Sequence, residues 1–218
     1  MSCNELFKAG TATKAVHFER FAELHNDGKD LIRSWYYRAL ETRDDNAGDK
    51  FESFIFGWFA FNGWMSCVVD TDIDAVCIKS IGKSADMNEI ASNLLNNQES
   101  QTSVAARQLL DWAPVFDVKS LRRSGIHISF AHYDDRTEMV NEYLQMGATE
   151  FEPKCWIRHI AANESIPSDL PHVLNTIYKI RCNLFHGQKA AHSEMDQEIV
   201  RRAYYALMSF IDEAHLLN

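Results

Sequence analysis

Nine glycines and four prolines punctuate a chain of 218 residues. That scarcity is the strongest constraint on the fold. Many short strands need many tight turns, and turns draw on residues that accept positive φ or fix it. A chain so poor in breakers favours long helices. Apolar residues make up 46% of it, with thirteen Phe and five Trp, enough core-forming side chain for a globular protein. The length fits one large domain, or one with an insertion, without disulfide or metal staples.

Helical spacing places the elements. Residues 1–14 are small and polar and are expected to fray. A helical pattern follows from Ala15 to Thr42, broken at Asn26-Asp27-Gly28, with Leu31, Ile32, Trp35, Tyr36, Ala39 and Leu40 as its apolar face. Residues 43–49 read as a polar loop. From Lys50 to Val69 a long helix puts Phe51, Ile55, Trp58, Asn62, Met65 and Val69 on one stripe. Asn62 is the polar member of that stripe and needs hydrogen-bond partners if buried. Ser168 can cap another long helix, with Asp169 at its positive end and Pro171 in its first turn. That helix runs to about His186, with Gly187 as a natural terminator. Ser193-Glu-Met-Asp196 reads as a capping box for a last helix, whose face carries Ile199, Val200, Ala203, Tyr204, Leu207, Met208 and Ile211.

The middle is less regular. Helical patterns occur at 86–96, 103–112 and 134–146, the last closed by Gly147, and the alternation over Gly125–Phe130 predicts a short strand or extended loop. The expected architecture is all-α: a helical bundle with core helices at about 15–69 and 168–217 and an insertion or lobe at about 70–166.

A net charge of −9 argues against a protein that coats nucleic acid nonspecifically, while leaving room for a local basic site. Five scattered cysteines (Cys3, Cys67, Cys77, Cys155, Cys182), with no signal-peptide pattern, lead to an expectation of free thiols in a reducing cytoplasm. The longest apolar run, Phe54 to Val69, is too short and too polar for a membrane span. No metal or cofactor is expected. Cys155-x3-His159 and His127-x4-His132 have suggestive spacings but no evident third ligand. Asp70-x-Asp72-x-Asp74 lacks the glycine and glutamate of a calcium loop, with Ile81 at the twelfth position, and reads as helix-start chemistry. There is no phosphate-binding glycine loop and no nucleophile elbow.

One stretch carries chemistry: Ile177-Tyr-Lys-Ile-Arg181-Cys-Asn-Leu-Phe-His186-Gly187. After Leu170, Leu174 and Ile177, Arg181 stands where the apolar stripe calls for Leu or Ile. A buried unpaired charge costs several kcal/mol, so Arg181 needs a buried acidic partner, a pocket or a subunit interface. His186 lies about 140° further round an ideal helix. The two meet only if the helix ends there, or if a second copy supplies the facing pair. Two readings fit. Both residues can serve the helix dipole and its free carbonyls. They can also act on a phosphodiester, the imidazole moving protons and the guanidinium fork matching phosphate oxygens.

The run Ile180-Arg181-Cys-Asn-Leu-Phe-His186-Gly187, set between two long helices and following a helix that contains Trp58-Phe-Ala-Phe-Asn62, resembles the HEPN superfamily, whose hallmark is Arg-x4–6-His. The likeness covers the helices at 50–69, 168–186 and 193–217. It implies an all-helical, dimeric, metal-independent endoribonuclease, of a kind found in toxin–antitoxin and anti-phage systems. RNA would be the substrate, with an antitoxin or regulatory partner. Other members lack catalysis and bind nucleotides or proteins. The implied reaction is attack of a ribose 2′-hydroxyl on the adjacent phosphorus, giving a 2′,3′-cyclic phosphate and a 5′-hydroxyl. His186 would act as general base or protonate the leaving oxygen, and Arg181 would hold the phosphate as charge builds. Two proton transfers against one motif histidine per chain point to a homodimer that pools two motifs.

The chain departs from the family pattern in two places. Cys182 follows Arg181 where a polar residue is usual, so Asn183 is the candidate orienting residue. Gln188 stands where the members silenced by nucleotide transfer carry Tyr, so that control is not expected. Asn62 is either a substrate or orienting contact or a satisfied core amide. Lys179, Lys189, Arg201 and Arg202 could form a phosphate rim, with Arg122-Arg123 a second basic pair, or be a solvated face. Three roles stay open for Arg181: catalysis, a non-catalytic binding pocket, or an internal ion pair.

Overall fold

The computed structural model of the chain describes residues 11–42, 50–126, 135–185 and 194–218. In chain order the helices are α1 (Glu19–Glu23), α2 (Asn26–Glu41), α3 (Lys50–Val69), α4 (Asp74–Lys83), α5 (Ala85–Asn96), α6 (Gln101–Leu110), α7 (Val118–Arg123), α8 (Arg136–Gln145), α9 (Trp156–Ala162), α10 (Leu170–Phe185) and α11 (Glu194–Glu213). Two-residue strands β1 (Val115–Phe116) and β2 (Phe151–Glu152) pair antiparallel, Val115 opposite Glu152 and Phe116 opposite Phe151. The fold is all-α, and among the described residues this minor ribbon is the only sheet. Among the described residues no helix is long and apolar enough to cross a membrane.

Helix α3 is the centre. Phe54, Trp58, Ala60, Phe61, Trp64, Met65 and Val68 are all buried, well beyond the single expected stripe. A helix apolar on nearly all sides must be surrounded, and α1, α2, α4 and α11 pack around it. Two glycines let the neighbours in. A Cβ on Gly63 would sit 2.8 Å from Ile32 Cγ1 on α2, and one on Gly57 would sit 2.8 Å from Met208 Sδ on α11. Helix α2 buries Ile32 and Ala39 but leaves Leu31 and Leu40 exposed, so its core face is narrower than the spacing predicts. The break also falls earlier than expected. His25 is extended and its Nδ1 accepts the Asp27 N–H, so Asn26-Asp27-Gly28 form the first turn of α2. Residues 11–17 do not fray. The His17 N–H donates to the Val68 carbonyl at 2.9 Å and the Lys14 N–H to Ser80 Oγ at 2.9 Å.

Helix starts follow capping chemistry. Ser84, Ser100, Asp117 and Asp135 accept backbone N–H groups at the starts of α5, α6, α7 and α8. Glu213 at the end of α11 reaches across to the start of α6, accepting from Ser100 Oγ, Gln101 N and Thr102 N. The expected Ser168 cap of α10 is corrected. Asp169 Oδ1 accepts the His172 N–H at 3.0 Å, because a carboxylate one residue closer outcompetes the hydroxyl at a positive helix end.

The stretch expected as an insertion or lobe, at about 70–166, contributes to two clusters. Helices α4 to α6 give Cys77, Ile78, Ile81, Met87, Ala106 and Leu109 to the main core. Only the stretch around the ribbon builds a second cluster: Phe116, Val118, Leu121, Met139, Val140, Tyr143, Ala148 and Phe151. Gly125, at φ +80°, closes α7, and the rest of the expected strand at 127–130 lies outside the described residues.

Candidate functional site

Arg181 sits in the last turns of α10, where that helix meets α3 and α4. Its Nη2 donates to Asp74 Oδ2 at 2.7 Å, with the two side chains 22% and 16% exposed. Asp74 opens α4, where a carboxylate also suits the positive helix end. The required acidic partner therefore exists, supplied by an element distant in sequence. The guanidinium carbon lies 4.6 Å from the Phe185 ring centroid and 5.4 Å from that of Trp58. Such placement over ring faces adds cation–π attraction to the ion pair. Trp58 stacks on Tyr178 at 6.1 Å, and Phe185 meets Phe59 at 6.0 Å.

The pairing around Arg181 is incomplete. Among the described residues Arg181 Nε is buried without a hydrogen-bond partner, and so are Trp58 Nε1 and Asn62 Oδ1, one turn apart on α3. A buried polar atom left unmatched costs about 1–3 kcal/mol. Asn62, expected to be either a contact or a satisfied amide, has an oxygen that no described group satisfies. Burial, then the adjacent Cys182 thiol and its hydrogen bond, push the Tyr178 hydroxyl far above its ordinary range. Cys182 thus lies one turn from Tyr178 on α10 and bonds it.

Other expected site residues have structural partners. Asn183 is buried, its Nδ2 donating to the Phe116 carbonyl at 2.8 Å and its Oδ1 accepting the Val118 N–H at 3.4 Å. As placed, it ties α10 to β1 and the start of α7. Lys179 Nζ pairs with Asp117 Oδ2 at 2.6 Å, both side chains largely buried. Arg201 and Arg202 share Glu198, at 2.6 and 2.7 Å, and Arg202 also lies over Trp112. Arg122 and Arg123 are exposed at the end of α7. His186 and Lys189 lie outside the described residues, as do Gly187 and Gln188.

Sequence spacing missed Asp74, Phe185 and Tyr178. The i−3 and i+4 steps from Arg181 on one helix would have found the last two.

Near the ribbon, burial pushes the Glu152 carboxyl up to about 7 against the pull of Lys154 and Lys179. Burial also acts to raise Asp117, but its bonds to Lys179 and Ser120 hold it below the usual carboxylate range. Among the described residues no cluster of three His, Cys, Asp or Glu could hold a metal. Cys155 faces His172, and His127 and His132 lie outside the described residues. A cleft of about 480 Å³ is lined by Arg33, Tyr36, Tyr37, Asp212 and His215, and one of about 420 Å³ by Gln101, Gln108, Arg201, Tyr205 and Ser209; Arg181 lines neither. No family model, curated protein or solved structure matches the chain, so the chemistry of these residues is the ground for assigning a function.

Proposed function

We propose that the protein is a metal-independent endoribonuclease of the HEPN type, working as a homodimer in the manner of a toxin or defence effector. The observation that carries this reading is the half-used guanidinium of Arg181. One edge is held by Asp74 and the group lies against two aromatic rings, while Nε is buried with no partner among the described residues. A donor already oriented and poorly satisfied is suited to receive a phosphate oxygen whose charge grows during reaction. His186, five residues on, supplies proton transfer. It takes the 2′-hydroxyl proton or protonates the leaving 5′-oxygen, and the same residue of a second copy performs the other transfer. An arginine and a pair of histidines complete this reaction without a metal.

A second reading rests on the Asp74 ion pair itself. A guanidinium neutralised by a carboxylate is a weaker phosphate ligand, and Cys182 stands beside it in place of the family's polar residue. A non-catalytic module that binds a nucleotide or a protein partner fits those two facts.

The two readings separate in one experiment. Purified protein is incubated with RNA in excess EDTA, alongside Arg181→Ala and His186→Ala. The ribonuclease reading expects cleavage by the wild type only. No cleavage, together with nucleotide protection against thermal unfolding, supports the binding module instead. Equal cleavage by all three proteins defeats the assignment of these residues.

A further inference from the structure

We propose that Cys155, His172 and Asp169 form a proton relay that makes Cys155 a modification site for small hydroperoxides. Cys155 Sγ lies 3.1 Å from His172 Nε2, and His172 Nδ1 lies 2.6 Å from Asp169 Oδ1. An ionised carboxylate can only accept, so Nδ1 carries the imidazole proton and Nε2 turns its lone pair toward the thiol. This is a nucleophile, a base and a residue that orients the base, in hydrogen-bond contact in that order.

The surrounding structure holds the three groups in place. Asp169 Oδ1 also accepts the His172 backbone N–H at 3.0 Å, so the cap of α10 fixes the imidazole. The Cys155 carbonyl accepts the Arg158 and His159 N–H groups at the start of α9, which fixes the thiol-bearing residue. His172 is fully buried, Cys155 keeps 5% of its surface, and the Asp169 side chain is 48% exposed. The relay therefore runs from a nearly enclosed sulfur to a carboxylate in water. The reagent proposed is therefore a small one.

Cys67 and Cys77 lack this arrangement among the described residues. Burial pushes Cys77 up to about 11 and raises Cys67 as well, and Cys77 Sγ meets Ser66 and the Thr71 carbonyl oxygen, the latter at 3.5 Å, with no imidazole among these partners. A thiol held protonated is a poor nucleophile. The relay is also separate from Arg181. His172 and Arg181 are nine residues apart on α10, roughly 13 Å along the axis at about 1.5 Å per residue. It stands whether or not the protein cleaves RNA.

In the reaction, Sγ passes its proton to Nε2 and a sulfur lone pair attacks one peroxide oxygen. The O–O bond breaks, and the leaving hydroxide or alkoxide takes the proton from the imidazolium. Sulfur is oxidised by two electrons, the peroxide is reduced, and the products are Cys155 sulfenic acid and water or an alcohol.

The test treats the full chain with hydrogen peroxide in the presence of a dimedone-type sulfenic acid trap and follows each cysteine peptide by mass spectrometry. Wild-type Cys155 is expected to be trapped at least about tenfold faster than Cys67 or Cys77, and Asp169→Asn or His172→Gln to slow it by about a hundredfold or more, at the lower end of the roughly 10²–10⁴-fold range of positioned proton-transfer groups. Cys77, fully buried, reports on folding in the variants, since its labelling marks an opened core. Labelling of Cys155 no faster than Cys67, or unchanged by Asp169→Asn with Cys77 silent, overturns the proposal. The wild-type ranking decides it even where His172→Gln does not fold.

Discussion

Asp74→Asn probes whether the contact at the heart of the site is a true ion pair. At a charge separation of about 4 Å and an effective dielectric of about 20, the gross attraction is about 4 kcal/mol. Desolvation of both groups offsets much of it. The 22% and 16% exposure of the two side chains sets the pair between surface pairs, worth about 0–1 kcal/mol, and buried ones, where losing a partner costs about 3–5 kcal/mol. Asparagine keeps an oxygen that can accept from Nη2, so the expected loss is about 1–2 kcal/mol. A double-mutant cycle with Arg181→Met, read by urea unfolding, should give a coupling of similar size that shrinks in high salt. Coupling below about 0.5 kcal/mol would refute the partnership. The same substitution leaves the guanidinium un-neutralised, so an added nucleotide should bind more tightly, about tenfold for each ~1.4 kcal/mol regained.

Gly63→Ala should destabilise the protein by about 1–3 kcal/mol, since its Cβ meets the stiff branched side chain of Ile32 on a tightly packed face. Gly57→Ala should cost less, or nothing, because Met208 can yield and alanine adds about 1 kcal/mol of helix propensity; thermal melts rank the two. At Glu152 the folded state holds a proton up to about pH 7 that the unfolded carboxyl releases near 4.5, so stability falls as pH rises through that window and stays lower above it. Glu152→Gln removes that slope, and the difference from wild type between about pH 5 and pH 8, measured by urea unfolding, should reach at most about 3 kcal/mol. Asn183→Leu breaks both bonds to the β1 region, should cost about 1–3 kcal/mol, and should raise amide exchange in the ribbon before the α3 core.

The elements with the clearest spacing were legible in the chain. The limits of α3 follow its apolar run, and α11 buries every residue of its expected face. The need of Arg181 for an acid was also legible, because a charge on an apolar stripe must be answered. That Asp74 answers it was not, since the pairing depends on how α4 folds back on α10. Asn183 and Lys179 have partners that were hidden for the same reason. Their polar groups look available beside the motif, and only the approach of β1 and Asp117 shows where they go. Cys155 was weighed against His159, four residues away on α9, while its hydrogen-bond partner His172 lies on the next helix. The burial of Ile32 beside an exposed Leu31 reflects how far α2 can wrap around α3, which periodicity alone leaves undefined.

The central claim is tested most directly by end-group analysis of RNA cleaved in excess EDTA, with a matched substrate carrying a 2′-deoxy sugar at the cleaved position. A HEPN-type ribonuclease gives a 2′,3′-cyclic phosphate and a 5′-hydroxyl from the ribose substrate and no cut at the deoxy position. Cleavage at the deoxy sugar, a 3′-hydroxyl with a 5′-phosphate, or intact RNA would contradict it.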